Sequence, residues 1–183
     1  MLILKEIVSF YQAKSVIVNM SINDFTYKFL GSYLGILWVI LRPLIFISVI
    51  WLIFSIGFKR NVLDNNTPFI LYLLTGYIPW LLFTDALSSS MNSIVNNKFL
   101  LNNISFKIGI LPINKIICAF YVHIIFLSIL IAVLLIHGYY PSIYWIQLPF
   151  YIIMLSILLS GLGWLTASLR VFSKDVEEIV SII

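Results

Sequence analysis

Apolar residues fall along this chain in four long blocks separated by polar segments, a pattern that predicts membrane-spanning helices. The blocks run over residues 34–58, 68–95, 112–136 and 143–169, and each exceeds the ~20 residues a helix needs to cross hydrocarbon. Lys59–Thr67 and His137–Ser142 are short polar connections, while Asn96–Lys115 is longer and mixed. Ahead of the first block, Ile3, Leu4, Ile7, Val8 and Tyr11 recur at helical spacing among Lys5, Glu6, Ser9 and Gln12. That spacing predicts an amphipathic helix in the membrane interface, with packing against protein as the alternative. Ser21 and Asn23-Asp24 read as a helix start leading into the first span. The expected architecture is therefore all-α and integral to the membrane: an interfacial region over residues 1–30, then four transmembrane helices in one domain. The apolar stretch Val176–Ile183, with which the chain ends, predicts further spans beyond it.

Composition narrows the class. Of 183 residues, 62% are hydrophobic and only 10% charged, with mean hydropathy +1.08, where a soluble domain carries about a quarter charged residues. Disorder, nucleic-acid binding and a secreted disulfide scaffold are excluded together, and the single cysteine, Cys118, reads as a small hydrophobe. The net charge of +4 is a topology signal. With the N-terminus inside, nine basic residues lie inside (Lys5, Lys14, Lys28, Arg42, Lys98, Lys107, Lys115, Arg170, Lys174) against Lys59 and Arg60 outside.

Catalytic chemistry is scarce. No acidic residue occurs between Asp85 and Asp175, and His123 and His137 have no carboxylate nearby in sequence, so neither a metal site nor a nucleophile–base pair is expected. A satisfied helix histidine and a loop histidine are the readings adopted. No P-loop sequence is present, so energy for any work must come from a partner.

Some features remain. Arg42 lies ~25 Å below Lys59, and Asp85 ~25 Å below Pro68, at ~1.5 Å per helical residue. Either these two meet across the first spans, or Arg42 snorkels to headgroups while Asp85 caps a local break. Ser156, Ser160, Gly163 and Ala167 share a helix face whose small residues admit a close neighbour. Tyr33, Trp38, Tyr77 and Trp80 read either as interfacial anchors or as an aromatic-lined path on which sugar rings stack. The segment at about 96–111 is amphipathic, with Phe99, Leu100, Ile104 and Phe106 as apolar anchors and Lys107 among its cations. It suits the bilayer surface or a groove on a soluble partner.

Three stretches carry a family resemblance. Gly31-Ser32-Tyr33-Leu34-Gly35-Ile36-Leu37-Trp38 leads to Pro43; Leu74-Thr75-Gly76-Tyr77-Ile78-Pro79-Trp80 continues through Ser93-Ile94-Val95 to Ile110-Leu111-Pro112; and Leu169-Arg170-Val171-Phe172-Ser173-Lys174-Asp175-Val176 closes the series. In this order and spacing the chain resembles the permease subunit of type-2 ABC exporters of polysaccharide, such as O-antigen, capsule and teichoic-acid exporters. It departs from the family pattern at Phe106-Lys107, where Phe-Pro is usual, and at Arg42, where a neutral residue is common.

The resemblance implies a six-span permease acting as a homodimer with two cytosolic ATPase subunits, ATP and Mg being held by the partner and no cofactor by this chain. It implies export of a lipid-linked glycan across the bacterial inner membrane. Tyr33, Trp38, Arg42, Tyr77 and Trp80 are then candidates for the substrate path, and Phe99, Leu100, Ile104, Phe106 and Lys107 for ATPase coupling. The competing readings are a permease for small hydrophobic drugs, a membrane enzyme acting on lipid-linked sugars, and a non-transporting scaffold.

Overall fold

The computed structural model describes residues 14–30, 35, 37–57, 68–99 and 107–182, and every element among them is helical. Helix α1 spans Lys14–Leu30, and α2 spans Leu37–Leu52 and runs directly into a π-helical turn, Ile53–Gly57. Helix α3 covers Phe69–Met91, and the short α4 covers Ser93–Asn96. Helix α5 covers Ile110–Ile136; a 3-10 turn at Ile143–Ile146 then feeds α6, Gln147–Phe172, and α7 covers Asp175–Ser181. Phe69–Met91, Ile110–Ile136 and Ile143–Phe172 are each long and apolar enough to cross a membrane. The chain is an all-α, multi-pass integral membrane protein.

Helix α3 is the hub, packed against α5 and α6. Leu82, Ala86 and Leu87 of α3 meet Ile116 and Ala119 of α5 and Leu159 of α6 in one buried cluster, and Val180 of α7 folds back against it. A second cluster joins Ile78 to Phe126 and Leu130, with Ile40 of α2 against it. Helices approach closely at Gly163: a Cβ there would lie 2.8 Å from Ser90 Oγ and 3.3 Å from Ile116 Cδ1. The face of Ser156, Ser160, Gly163 and Ala167 is thus a packing face, with Gly163 and Ala167 buried. Outward, α6 presents Phe150, Ile153, Met154, Ile157 and Leu158, as a bilayer solvent requires.

Two expectations are corrected. The helix start placed at Ser21 and Asn23-Asp24 does not exist, because α1 runs unbroken from Lys14 to Leu30. Two of the side chains that suggested a cap are engaged in tertiary contacts instead: Ser21 Oγ lies 3.0 Å from the Tyr121 hydroxyl, and Asp24 bonds to α5. His123 is not a satisfied histidine either. It is buried, its ring is edge-on to Phe120, and its Nδ1 has no hydrogen-bond partner among the described residues. The interfacial reading of residues 3–11 lies outside the described residues.

Candidate functional site

Asp24 and Lys28 of α1 assemble a polar cluster where α3 ends and α5 begins. Ile17, Ser21, Asp24 and Lys28 recur at three- and four-residue steps, so they share one helix face. Ile17 and Ser21 are buried, and Phe25 sets its ring edge against Tyr121, 5.8 Å between centroids. One Asp24 oxygen accepts from Lys115 Nζ and from Asn114 Nδ2, both at 2.6 Å. Asn114 is fully buried, and its Oδ1 has no partner among the described residues. One turn along, Lys28 Nζ donates to both Asp85 oxygens, at 3.0 and 3.1 Å.

The two ion pairs differ in weight. The Lys28 and Asp85 side chains are 43% and 40% exposed, so water screens them and their contribution is about 0–1 kcal/mol. Asp24 and Lys115 are 26% and 22% exposed and share the carboxylate with a buried amide, so removing one partner strands charge with less water to replace it. Asp85 therefore has Lys28 as its cation, a partner the spacing of the apolar blocks did not suggest. The side chain of Arg42 lies outside the described residues.

The aromatic candidates fall on α2 and α3. Tyr77 stacks on Phe46 at 5.1 Å, joining the two helices, and Trp80 stacks on Phe83 at 5.6 Å while remaining 45% exposed. Tyr77 and Trp80 are three residues apart on α3, hence neighbours on one face. Trp38 is exposed at the start of α2, and Tyr33 lies outside the described residues. Of the coupling candidates, Phe99 is 69% exposed and Lys107 is exposed, while Leu100, Ile104 and Phe106 lie outside the described residues. At the far end of α6, Arg170 reaches Glu177 of α7, and Ser173 Oγ accepts from the Asp175 backbone N–H at 3.1 Å, holding the two helices at their joint.

No protein-family model matches the chain. Curated relatives do. The chain is 22% identical over 171 residues to the O-antigen export system permease protein RfbA of Myxococcus xanthus, covering 93% of this chain and 64% of the relative. It is 26% identical over 168 residues to a protein of the same name from Klebsiella pneumoniae, and 24% identical to another from that organism, covering 91% of this chain and 63% of each relative. The chain thus spans a little under two thirds of the length of these relatives. Over more than nine-tenths of its own length, this membrane protein is similar to the permeases of O-antigen export systems.

Proposed function

We propose that this chain forms part of the transmembrane subunit of an ATP-driven exporter that moves a lipid-linked polysaccharide across the bacterial cytoplasmic membrane. The similarity to O-antigen export permeases along more than nine-tenths of the chain carries this reading. Two copies would form the path, and two cytosolic ATPase subunits, holding ATP and Mg, would drive it. The chain's part is to line the path and transmit force, not to catalyse a reaction.

The nine-to-two distribution of basic residues supports a cytosolic N-terminus. Ser142→Cys is then expected to react with a membrane-impermeant maleimide in intact cells, and Ser173→Cys only after permeabilisation, both in a Cys118→Ser background. The opposite labelling pattern would reverse the topology.

A hydrated glycan must be held weakly and repeatedly, because tight binding stalls conduction. The ring faces of Trp38, Tyr77 and Trp80, with Tyr33, suit that demand, since sugar C–H faces gain apolar contact on them without fixed hydrogen bonds. Arg42 would meet the anionic group of the lipid carrier through charge-assisted hydrogen bonds. In the full-length protein, Trp80→Ala and Arg42→Ala are each expected to reduce surface polysaccharide several-fold with protein level unchanged. Normal surface glycan in both variants, or a deletion strain altered only in drug resistance, would move the assignment to a small-molecule exporter.

The segment at about 96–111 is proposed to dock in a cleft of the ATPase, with Phe99, Leu100, Ile104 and Phe106 as anchors and Lys107 at the rim. Phe106→Ala is expected to lower ATPase co-purification or glycan export while membrane insertion stays normal. Full export and full complex yield in both Phe106→Ala and Ile104→Ala would exclude this role.

A further inference from the structure

Beside the two ion pairs of α1 lies a cavity of about 490 Å³, inside the ~300–1,000 Å³ range of small-molecule sites. Asp24, Lys28, Asp85 and Lys115 form part of its wall; Tyr27, Ser88, Ser89, Asn92 and Asn96 supply the remaining polar lining. In so apolar a chain, this gathering of polar groups around one cavity stands apart from the spans and makes it a candidate site.

The chemistry of the lining selects the ligand. Each ammonium is already matched by a carboxylate, so the wall has no net charge and gives a free anion or cation little preference. What it offers is a dense mixture of donors and acceptors. Elsewhere in the spans, Ser128, Ser156, Ser160 and Ser168 donate their hydroxyls to their own helix backbone. Ser88 and Ser89 make no such bond among the described residues and face the cavity instead. Hydroxyls, amides and paired charges together answer vicinal hydroxyl groups, which both donate and accept. Tyr27, 78% exposed, adds a ring face for the apolar side of such a ligand.

We infer that this cavity binds a neutral, hydroxyl-rich ring, a single sugar unit, at the end of the bundle where α3 finishes and α5 starts. The site is separate from the aromatic face of Tyr77 and Trp80. That the sugar belongs to the exported glycan rests on the export reading; the preference for an uncharged polyhydroxyl ligand does not.

Saturation-transfer NMR tests it on the full-length permease with its ATPase partner in lipid nanodiscs. The probes are glucose, galactose, mannose, rhamnose and N-acetylglucosamine, with inorganic phosphate and glycerophosphoethanolamine as competitors. At least one sugar is expected to receive saturation, and neither competitor to remove it. Ser88→Ala/Ser89→Ala, which deletes two hydroxyls from α3, is expected to abolish most of that signal, as is Asn92→Ala. Variants qualify only if their thermal unfolding matches the parent. No signal from any sugar, an unchanged signal in both variants, or displacement by phosphate or the lipid headgroup would each overturn the inference. Surface polysaccharide in a deletion strain separates the two readings: glycan lost without sugar binding leaves export standing and the cavity site refuted. Sugar binding without glycan loss does the reverse.

Discussion

Gly163→Ile is expected to separate α6 from α3 and α5 and to leave the protein unable to accumulate in the membrane. The reason is geometric. A single Cβ at this position already sits 2.8 Å from Ser90 Oγ, 3.2 Å from Ser90 Cβ and 3.3 Å from Ile116 Cδ1. Ser90 is fully buried and its hydroxyl donates to Leu87 O, so it has little room to withdraw. Gly163→Ala, the smallest step, is expected to cost about 1–3 kcal/mol through overpacking, partly offset by the ~0.5–1 kcal/mol that alanine gains over glycine in a helix. Gly161 is the control. Nothing lies within 4 Å of a Cβ there, so Gly161→Ala should be neutral or slightly stabilising. Adding Ser90→Ala to Gly163→Ala removes the nearest atom and should restore part of the loss, a coupling that only contacting residues show. Membrane yield reads Gly163→Ile, and thermal unfolding of the full-length protein in nanodiscs reads the alanine variants. Equal stability of the Gly161→Ala and Gly163→Ala variants would remove Gly163 from the interface.

Of the two cations that pair with carboxylates through α1, Lys115 is expected to matter more than Lys28, with Lys115→Met costing about 2 kcal/mol, the scale of a hydrogen bond to a charged group. It leaves the Asp24 carboxylate with Asn114 Nδ2 as its neutral donor, and that donor cannot offset the charge. Lys28→Met should cost about 1 kcal/mol or less, since water reaches that pair and salt screens it. Exchanging the first pair, Asp24→Lys with Lys115→Asp, is expected to recover a large part of the loss. The buried Asn114 amide can accept from the new lysine by turning its Oδ1 toward α1, an atom with no partner among the described residues in the parent. The measurement is folded protein remaining after graded heating, at low and high salt. A double exchange no better than the worse single variant would show that pairing is not what holds α1 to α5.

Much of the fold is legible in the order of residues. Blocks of more than twenty apolar residues leave a backbone one way to satisfy its polar groups in lipid, and that is a helix, as the helices over 69–91, 110–136 and 147–172 are. The small-residue face of the last span is legible too, from its three- and four-residue spacing. The polar cluster is not. Its stripe, Ile17, Ser21, Asp24 and Lys28, has helical spacing but mostly polar members, so a search for apolar periodicity passes over it. Ser21 and Asp24 also suggest a false helix start, because serine and aspartate favour caps when no tertiary partner claims them.

Sequence alone therefore determined the element type, the approximate place of the three long apolar helices and the poverty of catalytic groups, because each follows from local composition and a single helix's geometry. Which helices meet was decided only in three dimensions. Asp85 found Lys28, 57 residues away, and Asp24 found Asn114 and Lys115, 90 and 91 residues away. Charges attract without regard to sequence separation, and which of eleven cations reaches a given carboxylate depends on how the helices dock. That docking is settled by contacts such as Gly163 against Ser90, whose meaning lies in the space between two chain segments and in neither segment by itself.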